Sequence, residues 1–186
     1  AEEVANNVIA DNNGNTRWTD FYRTVSRANE VIANAPNVSG FNENYVSEAL
    51  ALRAKCYFDA VRVWGDVPLF TEPVRLLSDA TKPVTDANTI INDVIIPDMI
   101  RAQELNSTPA SEFRFSKSSI YALQAEVYMY LNDYPKAKTA IENLIALGEH
   151  RLVTTPDAWK DLFYNSNTDD VPRGKVQTGP EIMLSI

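Results

Sequence analysis

The stretch DNNGNTRW, Asp11 to Trp18, gathers side chains suited to ligand chemistry. Asn12, Asn13 and Asn15 offer amide donors and acceptors, Arg17 a charged fork, and Trp18 a flat apolar plane. A sugar presents hydroxyls at its rim and a C–H face, and this set meets both. The same residues also describe a helix entry, with an Asn-Gly turn and Trp18 wedged into a core. Both readings stand on the sequence.

Reaction chemistry is harder to find. The chain has no GxSxG, P-loop, HExxH or GxGxxG. Asp66, Glu72, Asp93, Asp98, Glu126, Asp161, Asp169 and Asp170 are carboxylates that a glycosidase would need in a fixed pair. With 25 acidic residues spread along the chain, they read as solvated surface. Thr168–Asp170 lacks the spacing of a calcium loop. The lone Cys56 and lone His150 preclude a His/Cys zinc cage, and Cys56 reads as a small buried hydrophobe. No catalytic residue, metal set or cofactor site emerges.

Bulk properties narrow the class further. The net charge of −8 argues against nucleic acid and against docking on an anionic leaflet by charge. Hydrophobic residues at 45% of 186 supply one domain with a core. No run of 18 apolar residues spans a membrane, and AEEVANNVIADNNG has no basic n-region or signal h-region. The terminal EIMLSI reads as a strand without a following partner, so the chain is expected to be a piece of something longer.

Helices must carry these residues. The periodicity predicts one over about Asp20–Ala35, with Phe21, Val25, Ala28, Val31, Ile32 and Ala35 on its buried face. A second runs over about Glu43–Trp64, with Arg53 inside its apolar stripe, where a buried ion pair locking two helices is expected. Gly65, Pro68 and Pro73 force an extended path into a long loop reaching Asn88, and loops of that length carry something. The third helix, about Asn88–Leu105, contains Pro97 and should kink there. The fourth and fifth, about Lys117–Leu131 and Tyr134–Leu147, are joined through LNDYPKA and must be antiparallel neighbours. A short helix, PDAWKDLF, follows.

Two phrases repeat: ALRAKCYF at Ala51–Phe58 and ALQAEVYM at Ala122–Met129. Ala54 or Ala125 lets a partner helix approach, and Tyr57 or Tyr128 fills the gap beside it. Ala137 returns the small residue in the second case. This is the grammar of the tetratricopeptide helix pair. It predicts a single all-α domain over 1–186, built of tetratricopeptide-like helical hairpins with long irregular loops and at most a minor strand near the C-terminus. Arg53, Ala54, Tyr57, Trp64, Ala125, Tyr128 and Ala137 are the expected packing residues. The packing code by itself says scaffold and gives no reaction.

The ordered pieces WTDFYRTVSRANEVI, SEALALRAKCYFDAVRVWGDVPLF, INDVIIPDMIRAQEL, RFSKSSIYALQAEVYMYLNDYPKAKTAIENLI and PEIMLSI resemble the SusD/RagB family of outer-membrane nutrient-binding lipoproteins of Bacteroidetes. Arg53-Ala54, Tyr57-Phe58 and Trp64 to Leu69 carry the most specific part. The resemblance implies a noncatalytic glycan- or nutrient-binding protein on the cell-surface face of the outer membrane. It also implies a lipid anchor, a tetratricopeptide-like trunk and a SusC-type TonB-dependent transporter as partner. In starch-binding members, aromatic and amide residues entering an early helix help hold the sugar, and Asn12, Asn13, Asn15, Arg17 and Trp18 are compatibly placed. This chain lacks a lipobox and a long C-terminal half, as a truncated family member would. The alternatives are a tetratricopeptide adaptor gripping a peptide, which predicts regular tandem units that the Gly65–Pro83 loop interrupts, and a glycan-cleaving enzyme.

Overall fold

A computed structural model describes residues 18–109, 111 and 113–156. Asp11–Arg17, the PDAWKDLF helix beyond Pro156, the acidic Asp161, Asp169 and Asp170, and PEIMLSI lie outside the described residues.

The chain is all-α. Helix α1 (Thr19–Asn34) is followed by α2 (Glu43–Trp64), whose first turn is capped by Asn42 accepting from the Asn44 N–H at 2.9 Å. Gly65, at φ 74°, ends α2 in a conformation that side chains avoid.

The third helix, α3 (87–105), starts under a cap in which Asp86 accepts from the Thr89 N–H at 3.0 Å. It then widens into a π turn over Ile91–Ile95 before resuming at Ile96–Leu105. Pro97 is the physical cause. It has no N–H, and its ring would strike the Asp93 carbonyl in a tight α turn, so the wider turn makes room. The expected irregularity is therefore a π turn just ahead of the proline.

Helices α4 (Lys117–Tyr130) and α5 (Tyr134–Ala146) form a hairpin. Asn132 turns the corner at φ 59°, and Pro135 sits in the first turn of α5. Ser116 and Ser119 cap α4 reciprocally.

Strand pairing among the described residues sits inside the loop after α2. Val67–Pro68 (β1) pairs antiparallel with Val84–Thr85 (β2). Asp66 Oδ1 accepts from the Ala87 N–H at 3.0 Å, so the loop leaves and returns at one point.

The core has two parts. Val25, Tyr57, Phe58, Ile95, Met99 and Val127 lie in the larger; Val46, Leu50, Ala102, Phe115 and Ile120 lie in the smaller. Ala51, Ala54, Ala60 and Ala102 are wholly buried, which lets α2 and α3 approach closely. Val31, expected on the buried face of α1, is exposed, and Asn29 is buried instead.

Candidate ligand pocket

Trp18, just before α1, and the α1 residues Tyr22, Ser26 and Asn29 lie at helical spacing, face the loop that follows α2 and enclose with it a cavity of about 540 Å³. Phe70, Glu72 and Lys82 form the opposite wall. Trp18 is 36% exposed and packs edge-on to Tyr22 and Trp64, with centroids 5.9 and 6.1 Å apart. Tyr22 meets the Phe70 ring edge-on at 5.4 Å, and Lys82 Nζ lies 5.1 Å from the Phe70 centroid. The floor is therefore aromatic, and charged groups stand at its rim.

The loop wall is held by helix side chains. Tyr22 Oη donates to the Pro68 carbonyl at 2.7 Å. Tyr57 Oη accepts from the Phe70 N–H at 2.8 Å and donates to the Phe70 carbonyl at 3.1 Å. Asn29, 1% exposed, donates through Nδ2 to the carbonyls of Phe70 at 2.9 Å and Glu72 at 3.3 Å. Burial pushes the Tyr57 phenol up to about 12 and raises that of Tyr22 as well. Both hydroxyls stay protonated near neutral pH and keep their donor roles.

Behind the wall, Arg53, 7% exposed, grips Asp98 on two parallel bonds: Nε to Oδ2 at 2.7 Å and Nη2 to Oδ1 at 2.9 Å. Its Nη1 donates to Asn29 Oδ1 at 2.7 Å and to the Thr71 carbonyl at 3.0 Å. Burial raises the Asp98 carboxyl, and the Arg53 guanidinium draws it back.

Of the residues singled out in the sequence, Trp18 is at the pocket, whereas Asn12, Asn13, Asn15 and Arg17 lie outside the described residues. Ala54 and Tyr57 are wholly buried; Ala125, Tyr128 and Ala137 are buried within the α4–α5 hairpin; Trp64 is half-buried against Trp18 and Phe21. Asp66 caps the loop closure, Asp98 is engaged by Arg53, and Glu126 pairs with Arg62 at 2.7 Å. Glu72 is left as the carboxylate among the described pocket residues. Burial pushes the Cys56 thiol up to about 11, which keeps it unreactive. His150 Nε2 lies 3.0 Å from Ser118 Oγ at the start of α4. Among the described residues no group of three or more His, Cys, Asp or Glu is placed to hold a metal ion.

Sequence reasoning missed Tyr22, Asn29, Phe70 and Lys82 as pocket residues. Asn29 carried a signal: it sits four residues after Val25, on the buried stripe, where a polar side chain needs partners. Phe70 and Lys82 carried only the general signal of a long loop.

The described residues thus form a trunk of packed helices with a pocket walled by a long pinned loop. Comparison gives it a family. The profile of the SusD-like family described as starch-binding and associating with the outer membrane matches residues 1–129. A SusD-like protein, P38, of Formosa agariphila is 41% identical over 171 residues, covering 91% of this chain and 33% of that protein. A SusD superfamily structure from Parabacteroides distasonis superposes with a TM-score of 0.72 at 21% identity, covering 84% of this chain and 37% of that one. A laminarin-binding SusD-like protein does so at 0.69 and 25% identity, covering 81% and 35%. The chain belongs to the SusD/RagB family. It spans about a third of the length of the relatives it matches.

Proposed function

We propose that this chain is the helical trunk and part of the ligand site of a noncatalytic glycan- or nutrient-binding protein. Such a protein works at the cell-surface face of the outer membrane, lipid-anchored, beside a SusC-type TonB-dependent transporter. The observation that carries the binding role is the cavity floored by Trp18, Tyr22 and Phe70 with Arg23, Glu72 and Lys82 around it. Rings accept the C–H face of a sugar, while the rim groups take its hydroxyls. Asn12, Asn13, Asn15 and Arg17 precede Trp18 directly in the chain and belong to the same proposed site.

Capture needs no covalent step. The engagement of Asp66, Asp98 and Glu126 in structural contacts supports binding over hydrolysis. The laminarin-binding relative supports a polysaccharide fragment as ligand. The peptide-adaptor reading is not favoured: the loop after α2 replaces the tandem helix an adaptor groove requires, and the relatives are SusD-like.

Titration of an oligosaccharide panel that includes laminarin fragments, followed by Trp emission, tests the reading. A saturable change with no new reducing ends after a day of incubation is expected. New reducing ends would establish an enzyme, and a flat titration across the panel would remove the glycan role. A TonB-dependent transporter in the neighbouring reading frame is the expected genomic context.

A further inference from the structure

We infer that Arg53 is a positioning residue for the pocket: it sets the orientation of the Asn29 amide, and the Asn29 amide in turn sets where the Phe70–Glu72 wall stands. This rests on the ligand role proposed for the pocket. The relay runs through buried groups: the Asp98 carboxylate, the Arg53 guanidinium, the Asn29 amide, then the loop carbonyls.

The geometry makes each link directional. An amide flipped about its last torsion would aim its oxygen at the Phe70 and Glu72 carbonyls and its N–H groups at Arg53. Arg53 Nη1, held 2.7 Å from Oδ1, forbids that orientation because a guanidinium only donates. Both Nδ2 hydrogens then point at the wall. Arg53 also reaches the Thr71 carbonyl directly, so three consecutive carbonyls, Phe70, Thr71 and Glu72, are fixed by two side chains.

Stability alone does not account for this arrangement. A buried ion pair gives back much of its attraction as desolvation, and apolar side chains of like volume would join α2 to α3 as well. What apolar side chains cannot do is present N–H groups to Asn29 and Thr71. Lysine cannot replace the arginine either, since one ammonium lacks the planar fork that meets Asp98, Asn29 and Thr71 together.

The test compares R53K, N29D and S47A in this chain. N29D keeps an acceptor for Arg53 but loses both donors to the wall. S47A removes two buried bonds outside the relay, one to the Ala102 carbonyl at 2.7 Å and one from Asn106 Nδ2 at 3.0 Å, and serves as the control for lost buried hydrogen bonds. In R53K and N29D, amide exchange at Phe70 should rise about tenfold, while S47A leaves it unchanged. The side-chain amide resonance of Asn29 should move in R53K and stay in S47A. Affinity for a laminarin oligosaccharide should fall about tenfold in R53K. Unchanged Phe70 exchange in a folded R53K, or an equal rise in S47A, would overturn the relay. Failure of the parent protein to bind the oligosaccharide would count against the glycan reading alone, because the exchange arm still decides the relay.

Discussion

Tyr57 and Phe70 exchange two hydrogen bonds. The phenol oxygen of Tyr57 accepts from the Phe70 N–H at 2.8 Å and donates to the Phe70 carbonyl at 3.1 Å. One helix side chain thus plays the part of a neighbouring strand for an extended loop. With Tyr22 on Pro68 and Asn29 on Phe70 and Glu72, the loop is held to the helices by side chains.

That pairing predicts an alkaline signature. The Tyr22 and Tyr57 phenols should titrate above the ordinary tyrosine value, because burial favours their neutral forms. For Tyr57 the folded value is raised from 10.0 to about 12, so its contribution is fully present below the unfolded value. It is lost as pH rises through the folded one, since the unfolded chain releases the proton first. Phenolate absorbance should show two late tyrosines rising together with the loss of helical circular dichroism. Y57F should reduce the alkaline slope and cost about 1–2 kcal/mol in urea unfolding.

Breaking the Arg53–Asp98 pair from one side leaves a buried charge alone. R53A and D98A should each cost about 3–5 kcal/mol in urea unfolding. The double replacement R53M with D98L should cost less than either single change, as a double-mutant cycle will show.

Gly65 ends α2 at φ 74°, and an added Cβ would meet nothing within 4 Å. G65A therefore isolates backbone strain from steric clash. A loss of about 1–2 kcal/mol is expected, with looser pairing of β1 and β2 visible in amide exchange at Val67.

Ala54 is wholly buried in the core. A54L should cost about 1–3 kcal/mol by overpacking, whereas leucine at the exposed Val63 should change thermal stability little.

Trp18 lines the pocket and is partly exposed. W18A should weaken oligosaccharide binding about tenfold and also lower the melting temperature through the lost contacts with Tyr22 and Trp64, and W18F should lie between. Isothermal titration beside a melting curve measures both.

The helices were legible because apolar residues recur along them at helical spacing. Gly65, Pro68, Asn132 and Pro135 punctuate them through fixed backbone preferences. The α4–α5 hairpin could be read almost residue by residue, since its pairing is local. The π turn was legible only as a disturbance at Pro97, because choosing between a kink and a widened turn depends on what α2 packs against. The pocket was legible at one edge, Trp18. Phe70 and Lys82 belong to an extended loop without periodicity, and nothing local says which helix it will cover.

The sequence by itself determined the helical elements, the Ala–Tyr packing code and the family, because these rest on short-range spacing and on ordered motifs. Tertiary structure alone decided that Arg53 would choose Asp98 among many carboxylates, that Asn29 would turn inward in place of Val31, and that the loop after α2 would fold back as a pocket wall. Those choices join residues far apart in sequence through directional bonds in a buried setting. Which partner satisfies a buried charge or amide depends on where the packed helices place it.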